Sequence, residues 1–147
     1  MCIRDSLIYR EMYYILHVGD SRVYEITSGI RQLTADQTLV AREIAAGRLT
    51  PEQAETDSRR SVLLQCIGAS PVVEPDFVVG QAAPGAHYML CSDGFRHKIT
   101  PQEMIERLGP GTCVDEAKMK EGCEFLTELV KYRKETDNVT VVLIKSE

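Results

Sequence analysis

The stretch Leu90-Cys91-Ser92-Asp93-Gly94-Phe95 constrains this chain more than any other: a short apolar run ends abruptly in an acid and a glycine. The run reads as a buried strand that delivers a carboxylate to its C-terminal end, where Gly94 lets the chain turn in a space that a side chain would obstruct. A carboxylate held there wants a cation. Asp20 stands in a comparable setting after Tyr14-Ile15-Leu16-His17-Val18-Gly19, and Asp137 stands just before Asn138-Val139-Thr140-Val141-Val142-Leu143-Ile144. Carboxylates gathered without matching Lys or Arg repel one another unless a divalent cation neutralises them. Oxygen-only ligation, with no Cys ligand and few His nearby in sequence, points to Mg²⁺ or Mn²⁺ rather than Zn²⁺ or copper. Singly, each acid has a plainer reading: Asp20 as a turn residue, Asp93 as a helix N-cap, Asp137 as the polar half of a turn.

The chain has 147 residues, 44% of them hydrophobic, which is about one domain with enough apolar content for a core. A net charge of -5 and scattered basic residues disfavour nucleic-acid binding and suit a protein that binds cations. Apolar runs are too short to span a bilayer and no signal peptide is evident, so no membrane partner is expected and the expected location is cytoplasmic. Cys2, Cys66, Cys91, Cys113 and Cys123 are odd in number and lack a Cys-x-x-Cys pair, which fits reduced, mostly buried thiols.

Along the chain, residues 1–11 carry no clear period and are expected to lie outside the domain as a non-domain or artefactual segment. Met12 to Val18, Arg22 to Ile26 and Ile30 to Thr34 read as a meander of three antiparallel strands turning at Gly19-Asp20-Ser21 and Ser28-Gly29. Helical periodicity then runs from Thr34 to Gly47, and Thr50-Pro51-Glu52-Gln53 carries the cap, proline and acid that start a second helix. Asp76 to Gln81 and Ala86 to Ser92 read as strands linked by the turn Ala82-Ala83-Pro84-Gly85. Thr100-Pro101-Gln102-Glu103 opens a helix through Leu108, and Val114 to Lys134 forms the longest helix, expected to bury Ala117, Phe125, Leu126, Leu129 and Val130. Asn138 to Lys145 closes the chain as a strand. The fold class is therefore α+β with a largely antiparallel sheet, one face of which nothing in the chain obviously covers.

Val18-Gly19-Asp20-Ser21-Arg22-Val23-Tyr24, Leu33-Thr34-Ala35-Asp36-Gln37, Cys91-Ser92-Asp93-Gly94-Phe95 and Asp137-Asn138-Val139-Thr140-Val141 occur in the order and approximate spacing of the metal-dependent type 2C serine/threonine protein phosphatases. From about Tyr13 onward the chain resembles the C-terminal part of that domain, in its bacterial form. The resemblance implies a partial α-β-β-α sandwich with Mn²⁺ or Mg²⁺ between its sheets, and hydrolysis of phosphoserine and phosphothreonine by metal-activated water. It implies Asp93 and Asp137 as ligands of one metal and Asp20 as a ligand of a weakly held further ion, with Gly19, Ser92, Gly94 and Asn138 in support. Ser21 and Arg22 look structural, Gln37 stands where many members have His, and His17, His87 and His97 match no family ligand.

The family's phosphate-gripping Arg, its following acid and its metal-bridging Asp-Gly-x-Gly-Gly motif have no counterpart here. Residues 12–147 are thus expected to be the C-terminal portion of a phosphatase domain whose N-terminal half is missing. That portion is expected to be nearly inactive alone, its parent acting on phosphoproteins that are targets of a Ser/Thr kinase. The competing reading is a non-catalytic binding module that keeps the scaffold. A Ca²⁺-binding domain is weaker, because no loop has the alternating Asp/Asn ligands of an EF-hand.

Overall fold

The structure is a computed structural model that describes residues 3–146. Among the described residues seven strands form two sheets in which every pairing is antiparallel. The first sheet has the order β1-β2-β5, from Ile3–Tyr9, Met12–Val18 and Asp76–Gln81. The second has the order β4-β3-β6-β7, from Ile30–Gln32, Arg22–Ile26, His87–Cys91 and Val141–Lys145.

The two sheets pack face to face through Tyr13 and Ile15 of β2 and Val23 and Tyr88 of β3 and β6. The rings of Tyr13 and Tyr88 lie 5.8 Å apart. On its other face the second sheet sends Tyr24, Ile26, Met89 and Cys91 into a helical layer that contributes Phe95, Met104, Leu108, Leu126 and Val130. Strands β3 and β6 are therefore buried on both faces along most of their length, whereas the burial of β2 alternates over its first half.

The helical layer comprises α3 (Asp93–Arg96), α4 (Pro101–Leu108) and α5 (Glu116–Tyr132). Helices α1 (Leu39–Ala45) and α2 (Pro51–Thr56) pair with each other to the side. Both cap-proline-acid signals open helices as expected, with reciprocal capping boxes between Thr50 and Gln53 and between Thr100 and Glu103.

Several expectations are corrected. Residues 3–9, within the segment expected to lie outside the domain, form β1 and pair with β2 from Ile3 against Val18 to Tyr9 against Met12. The local pattern there is weak because the strand takes its register from β2. Met1 and Cys2 lie outside the described residues. The three-strand meander does not form: β2 and β3 belong to different sheets, and Gly19-Asp20-Ser21 carries the chain from one sheet to the other. Ala82–Gly85 makes a second such crossing between β5 and β6. Periodicity reports strands but not which strands pair, and a connection that changes sheets has the same residues as a hairpin turn. On α5 the buried residues are Gly122, Leu126 and Val130, while Ala117 and Phe125 are exposed. Phe125 instead lies under the guanidinium of Arg107, 4.0 Å from the ring centre.

The outer face of the first sheet is bare. Leu7, Tyr14 and Val79 form one cross-strand row on it and Phe77 stands beside them, 76% exposed.

Arg133 grips Glu103 with two hydrogen bonds of 2.6 and 2.9 Å and ties the start of α4 to the end of α5. This pairing, with the Thr100 amide, holds the Glu103 carboxyl down at about 2, and Arg59 does the same to Asp57. Folded carboxyls held this low release their protons more readily than unfolded ones, so their stabilisation is complete above the unfolded pKa and is lost as pH falls through the folded one. The melting temperature is therefore expected to drop between pH 4.5, the ordinary value for Glu, and about 2. Glu103→Gln is expected to flatten that drop in a melting series; superimposable curves for both proteins would reject this role.

Candidate metal centre

The three aspartates lie in connections at one end of the second sheet, each reached by a different local route. Asp20 sits two residues past the end of β2, in the crossing between sheets. Gly19 has φ 109°, a conformation that side chains disfavour. Its amide donates to Gln37 Oε1 at 2.8 Å, and the Gln37 amide returns a 2.8 Å bond to the Gly19 carbonyl. Gln37 also donates through Nε2 to Asp76 at 2.9 Å. Residues 34–38, expected to be helical, lie outside any helix, and α1 starts only at Leu39, capped by Thr38.

Asp93 is the first residue of α3, and its Oδ1 accepts the Gly94 amide at 2.9 Å. Ser92 occupies the N-cap position, but its hydroxyl turns to the Asp137 loop instead. It donates to the Asn138 carbonyl at 2.9 Å and accepts the Thr140 amide at 3.1 Å. The Ser92 amide adds a 3.0 Å bond to the Thr140 carbonyl. These bonds latch the Asp93 turn to the Asp137 loop, which is why β7 begins at Val141 rather than at Asn138. Gly94 has no positive φ; its lack of a side chain serves close approach. A Cβ there would lie 2.6 Å from the Asn138 carbonyl oxygen and 3.2 Å from the Asp137 Cβ.

Arg22 is structural, as its position suggested: it holds Asp36 through paired bonds of 2.8 and 2.7 Å and donates to the Tyr24 hydroxyl at 2.9 Å. Burial pulls the Arg22 pKa down, but the bonds to Asp36 and Tyr24 outweigh it and the net direction is up. His17 and His87 are fully buried and donate to the carbonyls of Ala35 and Leu108. His97 is exposed, 3.7 Å from Glu135.

Asp20 and Asp93 line a cleft of about 900 Å³ whose far wall is made by α1 and α2. The donor set is oxygen only. Asp93 and Asp137 each accept a backbone amide from the next residue, and neither has an ion-pair partner among the described residues. They fit one side of a hard-cation site, but among the described residues no three acidic, His or Cys side chains close around a common point.

No protein-family model matches the chain. A 2C-type protein phosphatase of Streptococcus pyogenes is 33% identical over 132 residues, which are 89% of this chain and 52% of that protein. The solved serine/threonine phosphatase of S. agalactiae superposes with a TM-score of 0.88 at 28% identity, over 99% of this chain and 59% of that one. This chain is homologous to the type 2C protein phosphatases. A structure of the PstP catalytic domain in complex with two manganese ions matches with a TM-score of 0.80 at 28% identity, over 99% of this chain and 59% of that domain. The chain thus spans only about half the length of the type 2C relative in S. pyogenes.

Two residues beside the site escaped the sequence reading. Gln37, noted in the sequence only as a replacement for the family's usual His, ties down the Asp20 turn. Arg96, one helical turn after Asp93, reaches across to Asp20 and Asp36. Its place three residues after Asp93 was the available signal.

Proposed function

We propose that this chain is the C-terminal, metal-ligating share of a type 2C serine/threonine phosphatase domain. In its complete form that domain would hydrolyse phosphoserine and phosphothreonine in cytoplasmic proteins that a Ser/Thr kinase modifies. The observation that carries this reading is the latch that holds the Asp93 turn against the Asp137 loop across Gly94, with both carboxylates lacking cationic partners among the described residues. Asp93 and Asp137 would hold Mn²⁺ or Mg²⁺, with Asp20 more peripheral. The ion, when bound, would make a neighbouring water acidic and polarise a phosphoryl oxygen.

This chain's own residues contribute carboxylate oxygens and their orientation: Ser92 fixes the Asn138 loop and Gln37 fixes the turn at Gly19. With no bridging Asp and no phosphate-gripping Arg, the 147-residue chain is expected to leave p-nitrophenyl phosphate at background with Mn²⁺ present. Metal-dependent turnover by the purified chain would overturn that expectation.

Calorimetric titration tests the ligand assignment. Asp93→Asn is expected to weaken Mn²⁺ binding by about tenfold or more, since an amide oxygen lacks the negative charge that a hard cation selects. An unchanged isotherm would sink it. The bare outer face of the β1-β2-β5 sheet favours a second reading, a binding module that keeps the scaffold for protein contact. A stable monomer whose metal affinity ignores Asp93→Asn would favour that reading instead.

A further inference from the structure

The cleft beside Asp93 is basic in an acidic protein. Its lining carries five Lys or Arg against four Asp or Glu, while the whole chain has a net charge of -5. Arg22 and Asp36 cancel as a pair, and Glu135 accepts the amides of Thr136 and Asp137, which orient its carboxylate without neutralising it. The other two, Asp20 and Asp93, lie at the metal end.

Arg96 is the most constrained of the cations. Its side chain is only 15% exposed, and its Nε is fully buried without a hydrogen-bond partner among the described residues. Its Nη2 makes only long contacts, 3.4 Å to Asp36 Oδ2 and 3.5 Å to the Asp20 carbonyl. The short paired bonds of Asp36 go to Arg22, so Arg96 keeps hydrogen-bonding capacity that Asp36 does not take up. At the exposed rim of the same cleft, the ammonium groups of Lys98 and Lys134 have no ion-pair partners among the described residues.

We propose that this cleft is an anion subsite that receives an acidic side chain, either a carboxylate or a second phosphate, next to the phosphorylated residue of a peptide. Arg96 is the inner anchor, because a guanidinium offers several fixed donors to a carboxylate or phosphate. Lys98 and Lys134 form the outer, salt-sensitive rim. The inference rests on the proposed function only for the phosphopeptide nature of the ligand, and it needs no metal ion.

The test is fluorescence anisotropy on the full chain in EDTA with three labelled phosphothreonine peptides that differ only in their flanks: Glu, Gln or Lys. The Glu-flanked peptide is expected to bind about tenfold more tightly than the Lys-flanked one. High salt and Arg96→Gln are each expected to reduce that preference to about twofold or less. Equal binding of all three peptides would overturn the proposal, as would an undiminished preference in a folded Arg96→Gln protein. Should Arg96→Gln fail to fold, Lys98→Glu decides at an exposed position: a lost or reversed preference supports the subsite and an unchanged one rejects it. Because metal is absent, failure here is separable from failure of the Mn²⁺ titration on Asp93→Asn.

Discussion

Leu126→Ala is expected to destabilise this chain by about 2–5 kcal/mol, a large share of the roughly 5–15 kcal/mol that holds a domain of this kind together. Leu126 is fully buried at the centre of the helical layer, among side chains from the second sheet and from α3, α4 and α5. Truncation there loses the transfer of a Leu side chain out of water and leaves a cavity that two packed elements cannot both collapse into. Urea unfolding measures it directly. A loss below about 1 kcal/mol would mean that the sheet and helices are not packed as described. The exposed Phe125 is the internal contrast: Phe125→Ala removes more atoms yet is expected to cost less, because its ring is half in solvent and mainly meets Arg107.

Gly94→Ala is the second large effect, and its consequence reaches the proposed metal site. An added Cβ would stand 2.6 Å from the Asn138 carbonyl, backbone that cannot swing aside as a side chain can. Forcing it in is expected to cost about 1–3 kcal/mol and to push the Asp137 loop away from Asp93. The Ser92 bonds to Asn138 and Thr140 would lengthen together, since both run through the same latch. Two readouts should move in step: a lower urea midpoint, and Mn²⁺ affinity reduced about tenfold. Loss of stability with metal affinity intact would show that the Asp93 and Asp137 positions are not coupled through Gly94.

Much of the α+β architecture was legible before any coordinates. The capped starts at Thr50 and Thr100, the strands around Ile15, Val23 and Met89, and the uncovered sheet face follow from periodicity and cap chemistry, which act over a few residues. The turn residue Asp20 and the strand-end acid Asp93 stand out as candidates because an acid and a glycine interrupt apolar runs. Strand β1 was missed because it borrows its order from β2. The meander was mistaken for the same reason in reverse: Tyr14 and Val23 both look like strand residues, and nothing local says that they enter different sheets.

The sequence alone singled out three aspartates with glycine or asparagine beside them as candidate ligands, because oxygen donors and tight turns are properties of residue type. Tertiary structure decided how they are related. Gly94 proved to matter for the approach of Asn138, Gln37 for the turn at Gly19, and Arg96 for a buried Nε that has no hydrogen-bond partner among the described residues. Each of these depends on contacts between residues far apart in the chain, and such contacts are fixed by how two sheets and a helical layer share their buried faces.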